Sequence, residues 1–403
     1  MWLPGKKEIT LIAVSTLVGV ALCEALLRLM GISYPSRIAP DAYTGFAHRP
    51  NVEGWWRNEG TAAYVKINSA GFRDKEWQQE KPADVFRIAV LGDSFVQAFD
   101  VSAEKTFCSL IENSLSACPA FDSKKVEVLN FGVGGYGTAQ ELLTLRHKVW
   151  AYSPDLVVLA FFGGNDVKNN YRALQQEDHY PYFVERGGQL VLDDSFKESA
   201  GYKGRQGQWR NLVLAISDHL RIAEVINQAR RQIYVYWTIR SEAKTEQPYE
   251  EEFGIDYRVF DEPANEDWKN ARHVTERLIA QMSEEVHQHG AQFLLVSLST
   301  GVHVHPDLKV RQALTSHLRT PDLLYVERRL GNLAERETIR IPFLPLAKPM
   351  ADYAEQSGTF LHGSPTGLLG QGHWNEAGHA FAANLISQKI CTLPANETAL
   401  SQP

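Results

Sequence analysis

DLVVLAFFGGND, residues 155–166, decides the fold. Seven apolar residues run unbroken from Leu156 to Phe162, then stop at Gly163-Gly164-Asn165-Asp166. A strand with one wet face alternates apolar and polar residues, whereas a continuous apolar run marks a strand buried on both faces. RIAVL (87–91) and VEVLN (126–130) precede it with helical patterns between, and QFLLVSL (292–298) and IRIPFL (339–344) follow. This alternation predicts a three-layer α/β/α domain of flavodoxin-like order around a parallel sheet of about five strands. A helix candidate, Trp268 to His289, leads into the fourth strand.

Between 171 and 265 the alternation lapses. PYFVERGGQLVLD reads as a β-hairpin turning at Arg186-Gly187-Gly188. Residues 210–240, with Leu212, Ile216, Leu220, Ile226, Ile233 and Trp237 in register, read as one long amphipathic helix. The insertion follows the third strand, so it is placed either to cover a site at that sheet edge or to elaborate the structure. Upstream, residues 31–84 carry Tyr, Trp, Pro and Gly with little helical periodicity. They read as an N-terminal extension of strand and turn packed on the domain.

The 403 residues carry a net charge of −7 and no strongly basic stretch, which argues against nucleic acid as a partner. Near the N-terminus, Lys6 and Lys7 precede fifteen uncharged residues, ITLIAVSTLVGVALC. One helix over 9–30 measures about 33 Å at the α-helical rise, enough to cross a bilayer. The lysines favour residues 1–8 on the cytoplasmic side. The expectation is an uncleaved transmembrane signal anchor with everything after it outside the cytoplasm; a cleaved signal peptide is the alternative. Four cysteines, Cys23, Cys108, Cys118 and Cys391, are too few for a disulfide scaffold and lack CxxC spacing.

Three polar or glycine-rich loops follow the first three strands: GDSF (92–95), FGVGGYGT (131–138) and GGND (163–166). At the carboxyl ends of neighbouring parallel strands such loops converge. Their chemistry is complementary. Ser94 offers a hydroxyl nucleophile and a backbone N–H at a helix start. Gly135 brings a second backbone N–H close, and Asn165 offers a side-chain amide. Three such donors make an oxyanion hole, each worth ~3–4 kcal/mol at the transition state. His373, on a late loop before a C-terminal helix, supplies the base.

Those blocks resemble the SGNH (GDSL-type) hydrolase superfamily over residues 85–391, interrupted by the insertion. Gly92-Asp93-Ser94-Phe95 is similar to its first block, with Phe where Leu is common. Asn130 to Thr138 is similar to the second, Gly163-Gly164-Asn165-Asp166 to the third, and His373-Trp374-Asn375 with Gly378-His379 to the last. The resemblance implies Ser94 as nucleophile, His373 as base, and Ser94, Gly135 and Asn165 as oxyanion donors, with no cofactor or metal. Asp93 and Asp166 read as loop braces, Trp374 as packing and His379 as a helix-surface residue.

One departure stands out. The family pattern places an Asp three residues before the histidine, and here that position is Gly370. Glu376 and Asp352 are near in sequence but lack the spacing. A Ser94–His373 dyad oriented by a backbone carbonyl is the leading expectation, ahead of a relocated acid or a catalytically dead domain.

Two further motifs compete. Gly132, Gly134 and Gly137 spell the dinucleotide fingerprint, but Asp155 begins the next strand where the fingerprint wants an acid at its end. His303, His305 and Asp307 alternate as metal ligands do, without a third strong ligand. In the flavodoxin-like order the helices over 104–117 and 376–390 lie on one face of the sheet. Their lower ends then allow a Cys118–Cys391 disulfide outside the cytoplasm. Taken together, the chain reads as an anchored ester hydrolase on an acyl ester, with an acylated polysaccharide as one candidate substrate. Alternatives are an O-acyltransferase or deacetylase on cell-surface polysaccharide, or a non-catalytic scaffold with this fold. Residues 392–403 read as a tail.

Overall fold

The computed structural model describes residues 5–122, 124–242, 255–316, 322–336 and 340–393. Most of the expected tail therefore lies outside the described residues. Helix α1, Lys6–Leu29, opens the chain with no buried residue, and it is long and apolar enough to cross a membrane. Two antiparallel hairpins follow, Ile38–Asp41 with Gly45–His48 and Glu53–Asn58 with Thr61–Lys66. Then come β1 (Val85–Gly92), α2 (Phe107–Leu115), β2 (Lys125–Asn130), α3 (Thr138–His147) and β3 (Leu156–Phe161). The insertion holds a hairpin, Tyr182–Arg186 with Gln189–Asp193, and helices α4 (Gln208–His219) and α5 (Arg221–Glu242). Helix α6 (Glu266–Gln288), β4 (Gln292–Ser297), β5 (Phe343–Pro345), α7 (Ala347–Ser357) and α8 (Glu376–Thr392) complete the domain.

The five strands are all parallel, in the order β5-β4-β3-β1-β2. The chain moves outward from β1 to β2, then crosses to β3 on the other side, so the switch point lies between β1 and β3. Period-two alternation sorts each strand between two cores. Ala89, Leu91, Val157 and Leu159 pack under α3 and α6, while Ile88, Val90, Leu156 and Val158 pack under α2, α7 and α8. Both faces are covered, which is why these strands read as unbroken apolar runs.

Three details differ from the sequence reading. The pattern over 210–240 is two helices, because Leu220 takes an extended conformation between α4 and α5. Strand β5 is only three residues long and carries Pro345, consistent with its place at the sheet edge. His379 is buried: it stacks on Phe107 and accepts a hydrogen bond from the Phe107 N–H at 3.3 Å. At the far end of the same layer Cys118 is bonded to Cys391, with Cα atoms 6.2 Å apart.

Candidate active site

Ser94 stands on the turn between β1 and a short helix, Ser94–Gln97. Gly92 makes that turn possible, since a Cβ there would meet Val96 Cγ2 at 2.3 Å and the Ala160 carbonyl oxygen at 3.0 Å. Asp93 braces the turn through both oxygens, accepting from the Phe95 N–H at 2.9 Å and from Asn165 Nδ2 at 2.8 Å. Asp166 braces the third loop through one oxygen, Oδ2 accepting from the Phe162 N–H at 2.9 Å. Phe95 lies against Phe162, His373 and Trp374, which fixes the floor beneath the serine.

The second loop approaches so closely that its glycines have structural reasons. A Cβ on Gly132 would lie 2.4 Å from the Gln97 nitrogen, and one on Gly134 would lie 2.7 Å from Gln97 Oε1. The dinucleotide spacing is thus accounted for by packing against the serine turn. Gly135 differs: its Cβ position is open enough, but its φ of +85° favours glycine. Its carbonyl accepts from Asn169 Nδ2 at 3.1 Å and Tyr180 Oη at 3.4 Å. Tyr180 comes from the insertion, on the irregular stretch just before its hairpin. The structure therefore brings Ser94 and Asn165 to one point through Asp93, with the Gly135 loop packed alongside.

His373 Nε2 lies 2.7 Å from Ser94 Oγ. On the other side of the ring, Nδ1 faces neither a carbonyl nor a nearby residue of its own loop. It lies 3.0 and 3.1 Å from the two carboxylate oxygens of Glu59, of which Oε2 also accepts the His373 backbone N–H at 3.0 Å. This corrects the expectation of a carbonyl-oriented dyad: the acid position is filled from the N-terminal extension. Glu376 is exposed and lies 3.8 Å from Lys105, and Asp352 pairs with Lys348. Gly370 adopts φ +86°, and a Cβ there would already crowd His305 and Phe360 at 2.9 and 3.1 Å. A Cβ on Gly372 would meet Glu59 Oε2 at 2.2 Å, so the loop before the histidine is shaped around the incoming carboxylate.

Glu59 occupies an unusual place. Asn58 pairs with Thr61 in the hairpin register, leaving Glu59 and Gly60 as a two-residue turn with φ of +50° and +78°. Such a type I′ turn normally carries Asn-Gly or Asp-Gly. A glutamate there costs backbone energy of order 1 kcal/mol or more, as is common at functional positions. Asp100 secures the hairpin: Trp56 Nε1 and Thr61 Oγ1 both donate to Asp100 Oδ1 at 3.0 Å. Its other oxygen lies 3.5 Å from His373 Nδ1, making it a second acid beside the imidazole.

Burial alone would lower the His373 pKa, but Glu59, then Asp100 and Asp93, more than reverse this and lift it well above the usual imidazole range. Burial raises Glu59, and its contacts with His373 outweigh that and lower it. Asp100 is raised, chiefly by burial. Among the described residues the one three-ligand grouping of metal-binding type is Glu59, Asp100 and His373, already engaged with one another. His303 is buried against Phe260, and His305 accepts from the Asp307 N–H at 3.0 Å. A cavity of about 890 Å³ lies along α6 between Gln189 and Gln288 and holds none of these side chains.

Sequence reasoning missed Glu59 and Asp100. The available signal was the dipeptide Glu59-Gly60 between two alternating strands, where a neutral turn residue would be ordinary.

Residues 90–323 match the GDSL-like Lipase/Acylhydrolase family. No curated protein matches the chain. Among solved structures, the acetyl xylan esterase AlAXEase is 13% identical with a TM-score of 0.39, covering 76% of this chain and 100% of its own. The lipase/acylhydrolase from Enterococcus faecalis is 15% identical with a TM-score of 0.37, covering 76% and 95%. A two-domain esterase (CEX) active on acetylated mannans is 14% identical with a TM-score of 0.37, covering 79% and 52%. Likeness at these values bears on neither substrate nor mechanism.

Proposed function

Because the chain belongs to the GDSL-like lipase/acylhydrolase family and is an ester-hydrolysing enzyme, we propose that Ser94, His373 and Glu59 are its working triad. The observation that carries this reading is the single line of contacts from Ser94 Oγ through His373 Nε2 and Nδ1 to Glu59. In the acylation step Ser94 Oγ attacks the ester carbonyl carbon while its proton passes to His373 Nε2. Glu59 keeps the Nδ1 proton in place and stabilises the imidazolium that forms. The oxyanion is received by the Ser94 and Gly135 N–H groups and by the second N–H of Asn165 Nδ2, the first being committed to Asp93. His373 then gives its proton to the leaving alcohol. In deacylation water repeats the sequence, losing a proton to His373 and releasing the acid, and Ser94 recovers its hydrogen.

The reaction is placed outside the cytoplasm, with α1 as anchor. Two features support this: Lys6 and Lys7 at the start of α1, ahead of its apolar run, and the Cys118–Cys391 bond, which persists in oxidising compartments. Tyr180 and Phe46 lie within 4 Å of where a Gly135 side chain would start. They narrow the site beside the oxyanion donors and favour a short acyl group, carried by an alcohol such as a surface polysaccharide hydroxyl.

The test is labelling of the full chain by a fluorophosphonate, beside Ser94→Ala and His373→Ala. Labelling lost in both variants, with acetyl esters cleaved faster than octanoyl esters, is the expected result. Folded protein that takes no label, or label retained in Ser94→Ala, would overturn the triad.

A further inference from the structure

We propose that α4 and α5 form a lipid-contact platform that lays the domain against the bilayer beside α1. This rests on the anchor reading of α1 but is a separate claim about the insertion. The argument starts from which way each helix turns its apolar side. On α4, Trp209, Leu212, Val213 and Ile216 fall on one stripe at helical spacing and are all exposed, Trp209 at 77%. Half a turn away, Asp218 pairs with Arg49 and ties the helix to the domain. On α5, Gln228 and Gln232 donate to the Arg57 carbonyl at 3.3 and 2.9 Å, and Arg231 covers the Trp56 ring at 4.5 Å. Ile226 and Ile233 lie on the opposite side of that helix and are 54% and 57% exposed. Both helices thus present polar residues to the protein and apolar residues outward, the reverse of a surface helix in water.

The position of α5 specifies what covers this face. Its first N–H groups are taken by a residue of α1: Glu24 accepts from Arg221 N at 3.0 Å and from Ile222 N at 3.1 Å. Arg28 donates to the His219 carbonyl at 2.7 Å, at the α4–α5 break. Glu24 precedes the end of α1 by five residues, or about 8 Å of helix. If α1 spans the bilayer, the start of α5 sits at the headgroup level, where an outward apolar face with an exposed tryptophan is stabilised by lipid. The same helix buttresses the strand that ends at the Glu59 turn. The insertion therefore acts as a brace between membrane and site.

The test uses the full chain in phosphatidylcholine–phosphatidylglycerol vesicles. Cys23 is replaced by Ser, since Cys108 is buried and the other two cysteines are bonded. Nitroxide labels are placed by Ile216→Cys, Ile226→Cys, Val14→Cys on α1, and Asp267→Cys on the exposed start of α6. Collision with oxygen relative to a water-soluble nickel complex is measured at each. The proposal expects severalfold higher ratios at 216 and 226 than at 267. Lipid-like values at 14 with aqueous values at 216 and 226 overturn the platform and leave the anchor standing. An aqueous value at 14 with lipid-like values at 216 and 226 sinks the anchor and overturns the platform's placement beside α1, leaving only lipid contact by α4 and α5. Labels at 216 and 226 shielded from both colliders point to a second protein copy on this face and overturn it.

Discussion

Glu59 and His373 are 314 residues apart in sequence and hydrogen-bonded at 3.0 Å in the fold. An element outside the α/β domain therefore places a carboxylate against the proposed base, and the consequences of that proposal are measurable at each link.

Replacing Glu59 by Gln keeps the size and removes the charge. The kcat/KM plateau should fall by about 10²–10⁴-fold, as when the acid of a serine triad is disabled. The pH profile should move as well. Glu59 raises the His373 pKa, so the limb on which activity rises with pH, as His373 loses its proton, lies on the alkaline side of an ordinary imidazole. Glu59→Gln should carry that limb to lower pH while lowering the plateau. The same linkage acts on stability. The contribution of a histidine with a raised folded-state pKa is complete below its unfolded value near 6.5 and is lost as pH rises through the folded value. The variant should lose less stability over that alkaline window. A limb that stays put would remove Glu59 from its assigned role.

Asp100 should behave as a reserve. With an oxygen 3.5 Å from Nδ1, it can take over part of the orientation when Glu59 is neutral. Asp100→Asn retains an acceptor for Trp56 and Thr61, so alone it should cost less than about tenfold in kcat/KM. Combined with Glu59→Gln it should cost more than the product of the single losses. Strict additivity in this double-mutant cycle would show that the two acids do not share the imidazole.

The turn can be disturbed without touching any reacting group. A Cβ on Gly60 would meet the Gly367 nitrogen at 2.4 Å and the Thr366 carbonyl carbon at 2.6 Å, both backbone atoms, in a residue held at φ +78°. Gly60→Ala should therefore push the hairpin tip away from the 364–372 loop and take Glu59 with it. The expected result is a lower kcat with KM little changed, and a loss of about 1–3 kcal/mol in stability. Unchanged kcat, with the same loss of stability, would mean that the position of Glu59 tolerates movement.

What was legible followed burial, and what was not followed long-range pairing. Leu156–Phe162 and its counterparts announced a two-sided sheet because continuous apolar runs have few other uses. Ser94, Gly135, Asn165 and His373 could be singled out as candidates because each sits within a few residues of a strand end or helix start. Glu59 obeys no such spacing; Glu59-Gly60 marks a hairpin turn locally, but nothing local says that the turn reaches His373, because the Asp100 contacts that bring it in are remote in sequence. Leu220 looked like one more apolar position in a long helix, since a break with no Gly or Pro carries no signal. His379 looked exposed because its partner, the start of α2, is equally remote in sequence.

The disulfide gives the last prediction. Cys118 and Cys391 are 273 residues apart, and they join the end of the α2 region to the last turn of α8 at the opposite end of that layer from His373. Cross-links over long loops restrict the unfolded chain, and typical values are about 2–4 kcal/mol. Cys118→Ser with Cys391→Ser should lower Tm by roughly 3–6 °C for a domain of this size. Activity at 25 °C should hardly change, because α8 reaches the site through its amino end, where Asn375 Oδ1 accepts from the Gly378 N–H at 3.0 Å. Thermal unfolding and esterase assays on the same preparation separate the two effects. A large loss of activity with little change in Tm would mean that the bridge sets the position of His373 rather than the stability of the layer.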